Sequence, residues 1–112
     1  MTTAVNVDAV VAEADREYPA LYQLFGGYFH EDWRDESGTA ENAIRSYAAD
    51  APVEAVSAAR DELDRLLGSG LDEAQLSRVL ESGFGCMYAP SSDGITTADW
   101  LTSARALLQQ PH

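Results

Sequence analysis

Short stretches of helical periodicity, separated at close intervals by proline, glycine and capping residues, run through the whole sequence. Apolar residues recur three and four positions apart, which is the spacing of one buried helix face, and strand-like alternation is nearly absent. The sequence therefore predicts an all-α fold, a single compact bundle of about five to six short helices. The 112 residues, of which 46% are hydrophobic, suit one domain. We take that domain to span 1–112, with 1–5 and 109–112 frayed.

The first third of the chain predicts two helices. Residues 7–17 are rich in alanine and carry acids early, with Asn6 or Asp8 as the cap. Pro19 suits the first position of the next helix, because an N–H group there would have no helical partner. Five side chains follow at helical spacing and predict one buried face: Leu21, Leu24, Phe25, Tyr28 and Phe29.

Gly26 and Gly27 fall inside this second helix, where each glycine costs about 1 kcal/mol relative to alanine. Either the helix ends there in a left-handed cap, or it continues and the missing side chains let another backbone come close. We favour continuation, because the aromatic spacing persists as far as Trp33. Gly26 would then be a notch in a row of aromatic side chains.

Two helices are predicted in the middle of the chain. Thr39 is placed to cap a helix over 40–49. Pro52 opens the next helix, and Gly68 ends it. Three pairs have the i,i+4 spacing of helical ion pairs: Glu41 with Arg45, Asp61 with Arg65, and Arg60 with Asp64.

The last third begins with a clear local signal, since residues 72–75 have the pattern of a capping box for a helix over 73–82. Residues 83–97 contain glycine, proline and Ser-Asp-Gly, and predict a loop. Three side chains of this loop are expected in the core: Phe84, Met87 and Tyr88. Thr96 or Thr97 caps a last helix with one inward face: Trp100, Leu101, Ala104, Leu107 and Leu108.

The charge of the chain is strongly one-sided. Nineteen acidic residues stand against seven arginines and no lysine, for a formal net charge of −12. Nucleic acids and anionic membranes are bound through cationic surfaces, so neither is expected as a partner. A basic protein partner fits this charge; alternatively, the acidity only keeps the protein soluble and monomeric. With no apolar run of roughly 20 residues and no basic signal-peptide start, we expect a cytoplasmic protein.

The densest group of reactive side chains lies in GGYFHEDWRDE, residues 26–36. His30 and its acidic neighbours suggest a metal site or acid–base pair, but zinc usually takes nitrogen or sulfur from more than one residue. The single Cys86 is expected in the core. Because the sequence also lacks a phosphate-binding glycine loop and an activated nucleophile, we expect no enzyme, metal or cofactor.

Three stretches together resemble the small immunity proteins of bacterial contact-dependent growth inhibition systems. They are YPALYQLFGGYFHEDW, AENAIRSYAAD and LDEAQLSRVLESGFGCMYAPSSDGITTADWL, within residues 18–108. The matching positions are Tyr28, Phe29, His30, Asp32 and Trp33 in the first run, and Trp100 with Leu101 in the last. The resemblance implies a cytoplasmic binding protein that neutralises a toxin domain delivered by a neighbouring cell. Many such toxins are nucleases with basic grooves, so it also implies occlusion of a positive active-site cleft.

Under this resemblance the candidate toxin-binding residues are His30, Glu31, Asp32, Trp33, Asp35 and Glu36. The four acids among them form the densest acidic cluster of the chain, at the expected change from helix to loop. Trp33 is either an interface anchor or, as we favour, a core residue. The whole run is alternatively a structural signature without a site. Two other functions remain open: an acidic regulator or nucleic-acid mimic for another basic protein, and a small enzyme using His30 with Asp32 or Glu31.

Overall fold

The structure, a computed structural model, describes residues 7–30 and 32–109, with the side chains of Glu36, Ser37 and Gln109 excepted. The helices are α1 (Val7–Ala12), α2 (Ala14–Glu17), α3 (Pro19–Gly27), α4 (Trp33–Ser37), α5 (Ala40–Asp50), α6 (Val53–Leu67), α7 (Glu73–Arg78) and α8 (Thr97–Gln109). A π-helical turn, Val79–Gly83, follows α7, and a 3-10 turn, Pro90–Asp93, precedes α8. The predicted all-α class is confirmed. The predicted cap at Asn6 and the predicted fraying of 1–5 and 110–112 fall outside the described part. Gln109, also predicted to be frayed, belongs to α8.

The described residues form eight α-helices, because each of the first two predicted helices is divided. The first divides at Glu13, and the start of α2 packs beside the end of the π-helical turn. A Cβ atom on Gly83 would lie 3.1 Å from the Cβ of Ala14, which is itself 1% exposed. The division therefore brings Ala14 into close packing against a glycine distant in the sequence.

The predicted continuation of the second helix to Trp33 is wrong, because α3 ends at Gly27. The N–H of Tyr28 still donates to the carbonyl of Leu24 (3.0 Å). The carbonyl of Phe29 would accept from the N–H of Trp33 in a continuous helix, but it accepts from the N–H of Met87 (2.8 Å). A contact with a distant loop thus replaces the helical pattern. No left-handed cap forms either, since neither Gly26 nor Gly27 has a positive φ.

The expected close approach at Gly26 is confirmed. A Cβ atom there would lie 2.7 Å from the carbonyl oxygen of Phe84, whereas a Cβ on Gly27 would meet no atom within 4 Å. The two adjacent glycines therefore differ in role. Gly26 makes room for another backbone, and Gly27 stands at an open position.

The locally encoded helix starts are confirmed. The hydroxyl of Thr39 accepts from the N–H of Asn42 at 3.1 Å, and Asp72 and Gln75 make both hydrogen bonds of the capping box, at 2.8 and 2.9 Å. The Thr96 hydroxyl accepts from the N–H of Asp99 at 3.1 Å, so Thr96 is the cap of α8. Pro19 opens α3, and Gly68 follows the last residue of α6.

Only one of the three predicted intrahelical ion pairs is present. Glu41 and Arg45 lie 3.6 Å apart. In α6, by contrast, Asp64 pairs with Arg105 of α8, and Arg65 pairs with Glu17 of α2 at 4.0 Å. Both residues of α6 thus pair with other helices, since α6 packs against α8 and against α3, which follows α2 in the chain.

An aromatic cluster joins the helices to the loop before α8. The ring of Trp100 lies 5.4 Å from both Phe25 and Phe29 and 5.1 Å from Tyr88. Cys86 is buried, as predicted, whereas Met87 is 60% exposed, so its predicted place in the core is wrong. None of the described helices is long and apolar enough to cross a bilayer.

Candidate functional site

Residues 28–37, which we call the helix-break segment, lead from the end of α3 into α4. The carbonyl of His30 accepts from the N–H of Trp33 at 3.0 Å, and that of Asp32 from the N–H of Asp35 at 3.1 Å. The ring Nδ1 of His30 accepts from the N–H of Asp32 at 3.1 Å. These local bonds start the short helix α4, for which no side chain acts as an N-cap.

The aromatic residues of the helix-break segment serve the core. Phe29 is fully buried and Trp33 is 4% exposed, with its ring 5.3 Å from those of Phe29 and Tyr88. This burial supports the core interpretation of Trp33 over that of an exposed anchor. Tyr28 is half-buried and donates its hydroxyl to the carboxylate of Asp50 at 3.3 Å. Burial, followed by the nearby Asp50 charge, raises the pKa of Tyr28.

The polar candidates separate into exposed and half-buried positions. Asp32 and Asp35 are exposed, while His30 is half-buried. Glu31 lies outside the described residues, and Glu36 belongs to α4 but its side chain is not described. The structure therefore brings Asp32 and Asp35 to the surface at one end of α4, beside a histidine that braces the backbone.

Most of the arginines are engaged by acids elsewhere in the chain. The ion pairs are Arg16 with Glu13, Arg45 with Glu41, Arg65 with Glu17, Arg78 with Asp8, and Arg105 with Asp64. Arg34 instead lies over the ring of Trp33, 4.7 Å from its centre. Within the ranges 7–30 and 32–109, no ion pair neutralises Asp32 or Asp35. The negative charge at this end of α4 is thus uncompensated by an ion pair.

A second exposed feature borders the helix-break segment and was missed by the sequence analysis. Residues 84–90, which we call the alternating loop, point alternately into the core and into solvent. The inward side chains are Phe84, Cys86, Tyr88 and Pro90, and the outward positions are Gly85, Met87 and Ala89. This period of two resembles that of an extended backbone with one buried face, although Phe84 has helical and Gly85 left-handed backbone angles.

The described residues contain no group of three His, Cys, Asp or Glu side chains placed to hold a metal ion. Burial raises the pKa of the Cys86 thiol to about 12, so this sulfur is protonated at neutral pH. What the arrangement offers is a surface with two exposed carboxylates, Asp32 just before α4 and Asp35 within it, next to the buried aromatic side chains of Phe29 and Trp33.

Comparison with known proteins decides the family. The sequence model described as CdiI immunity protein matches residues 17–108. The chain belongs to the CdiI immunity protein family. This match confirms the resemblance to immunity proteins of contact-dependent growth inhibition, over nearly the predicted range. No curated protein matches the sequence.

The CdiI fold is also found in a solved structure. A chain in the crystal structure of the CdiA-CT/CdiI complex from Y. kristensenii 33638 matches with a TM-score of 0.79 and 24% identity. The match covers 84% of this chain and 100% of that one. At this identity the likeness establishes a shared fold.

Proposed function

We propose that this CdiI family protein binds the C-terminal toxin domain, CdiA-CT, of a contact-dependent growth inhibition system and neutralises it. The observation that carries the proposal is the family match over residues 17–108. A protein with the same fold occurs in a complex with a CdiA-CT domain, which supports a binding role.

The acidic surface of the helix-break segment is our proposed contact region. Asp32 and Asp35 are exposed and lack an ion-pair partner in the described part of the chain, and the net charge is −12. Such a surface attracts a basic protein, raising the association rate in a salt-dependent way. A toxin that binds nucleic acid needs a positive groove, so an acidic protein that covers this groove excludes the substrate.

Co-expression with the toxin domain encoded immediately upstream is the direct test. We expect cells to survive, and the two proteins to co-purify at low salt and to separate more readily at high salt. Death of cells despite good expression of the CdiI chain, with no complex recovered, would contradict the proposed function.

A matched charge reversal tests the proposed surface. Asp32→Lys combined with Asp35→Lys is expected to raise the Kd for the toxin domain at least tenfold, since each reversal adds repulsion to a basic partner. The control, Asp15→Lys with Glu54→Lys, changes the same charge at exposed positions of α2 and α6. If both double variants weaken binding equally, net charge and not this surface drives recognition.

A further inference from the structure

A groove beside Met87 lies between the π-helical turn and the alternating loop. Its volume is about 220 Å³, and its walls include Ser77, Leu80, Glu81, Met87, Tyr88 and Pro90. Leu80, Tyr88 and Pro90 are buried and form an apolar base, whereas Glu81 and Met87 are exposed. The groove thus combines an apolar interior with one carboxylate.

The outward position of Met87 is set by the backbone. Gly85 has a φ of +72°, which favours glycine, and the N–H groups of Cys86 and Met87 donate to the carbonyls of Leu80 (3.0 Å) and Phe29 (2.8 Å). On the far side of Met87, the Tyr88 hydroxyl donates to Asp93 at 2.7 Å. The large apolar side chain of Met87 is therefore 60% exposed to water, although its neighbours Cys86 and Tyr88 are only 3% and 4% exposed. Methionine is flexible and polarisable, which suits contact with a partner surface.

Glu81 gives the groove its charge. The arginine one helical turn earlier, Arg78, pairs with Asp8. Among the described residues, neither Arg78 nor any other cation forms an ion pair with Glu81, and Glu81 is exposed. An apolar base beside an uncompensated carboxylate complements a side chain with an aliphatic stem and a cationic end.

We infer that this groove receives a lysine or arginine side chain of the CdiA-CT toxin domain. The aliphatic stem packs against Met87 and the apolar base, and the cationic group pairs with Glu81. The hydrogen bond from the N–H of Met87 to the carbonyl of Phe29 joins this wall of the groove to the helix-break segment. This inference rests on the proposed function and adds a specific anchoring site to it.

Two pairs of matched variants test the groove by titration against the upstream-encoded toxin domain. The groove variants are Met87→Ala and Glu81→Gln. The controls are Val53→Ala and Glu54→Gln, which alter an apolar side chain that is 76% exposed and an exposed acid on α6. We expect each groove variant to raise the Kd about tenfold and each control to change it less than twofold. Glu81→Gln should also reduce the salt dependence of the Kd because it removes a charge, whereas Met87→Ala should leave that dependence unchanged.

The outcomes separate the inference from the proposed function. Unchanged affinity in both groove variants, with the wild-type complex intact, overturns the groove and leaves the function standing. A loss in Met87→Ala alone indicates an apolar occupant, and a loss in Glu81→Gln alone indicates surface attraction without the groove; either overturns the inference. If the wild-type protein forms no complex with the toxin domain, both the proposed function and the groove inference are overturned. The melting temperature of each variant should stay near the wild-type value, because all four side chains are exposed.

Discussion

Helices α3 and α8 both pack against α6 but begin in different ways. Helix α8 starts with a local cap, Thr96, and with the exposed carboxylate of Glu73, which accepts from the N–H of Thr97 at 2.8 and 2.9 Å. Helix α3 has no local side-chain cap. Its first N–H groups, of Ala20 and Leu21, donate to Glu62 of α6 at 3.2 and 3.0 Å.

The two remote carboxylates differ most in burial. Glu62 is 6% exposed, so its hydrogen bonds are shielded from water. Water therefore cannot readily replace this carboxylate as the acceptor for the two N–H groups. Glu73 is exposed, and water can take over part of its role. The comparison teaches that α3 depends on tertiary contacts for its start, whereas α8 is encoded largely by its own residues.

Glu62→Ala should have the largest effect. It removes a charged acceptor and leaves two N–H groups at the start of α3 without their partner, so we expect a loss of about 3 kcal/mol in the free energy of unfolding. Urea denaturation followed by circular dichroism measures it. The exposed neighbour Asp61 provides the control, because Asp61→Ala should cost less than about 0.5 kcal/mol. Equal losses in the two variants would show that α3 does not depend on the remote cap.

The two glycines at the other end of α3 should respond in opposite directions. Gly26→Ala places a Cβ atom against the Phe84 carbonyl, and we expect a net loss of about 2 kcal/mol even after the gain in helix propensity. Gly27→Ala meets open space and should stabilise the protein by about 0.5 kcal/mol. Thermal melts of both variants check this; a gain in both would mean that the Phe84 backbone moves away at little cost.

Glu73→Gln should have the smallest effect, and the effect should depend on pH. The N–H of Thr97 holds the pKa of Glu73 below its ordinary value of 4.5. The folded pKa is thus lower than the unfolded one, so this stabilisation is full above about 4.5 and is lost as pH falls through the folded pKa. We expect less than about 1 kcal/mol at neutral pH, because the group is exposed. The melting temperatures of the wild-type protein and of Glu73→Gln, measured from neutral to acidic pH, should converge in acid. A difference that does not change with pH would refute a cap that depends on the Glu73 charge.

The sequence predicted features that are encoded within three or four residues. Thr39, the capping box at 72–75 and the choice of Thr96 or Thr97 all follow from side chains that reach a nearby N–H. It also predicted the burial of Trp33 and Cys86 from spacing and residue type. The sequence predicted a candidate site in an acidic run, and two of its acids, Asp32 and Asp35, are exposed. Their role in binding the toxin remains a proposal.

By itself, then, the sequence determined the all-α class, most helix starts and the family. Tertiary structure decided the end of α3, because the Phe29 carbonyl bonds to Met87 in a loop far along the chain. It also decided the remote cap of α3, whose partners are 41 and 42 residues apart, and the outward position of Met87. The physical reason is the separation of the partners along the sequence. Partners of local hydrogen bonds lie within one helical turn and are visible as a sequence pattern, whereas contacts between distant segments exist only after the helices have packed.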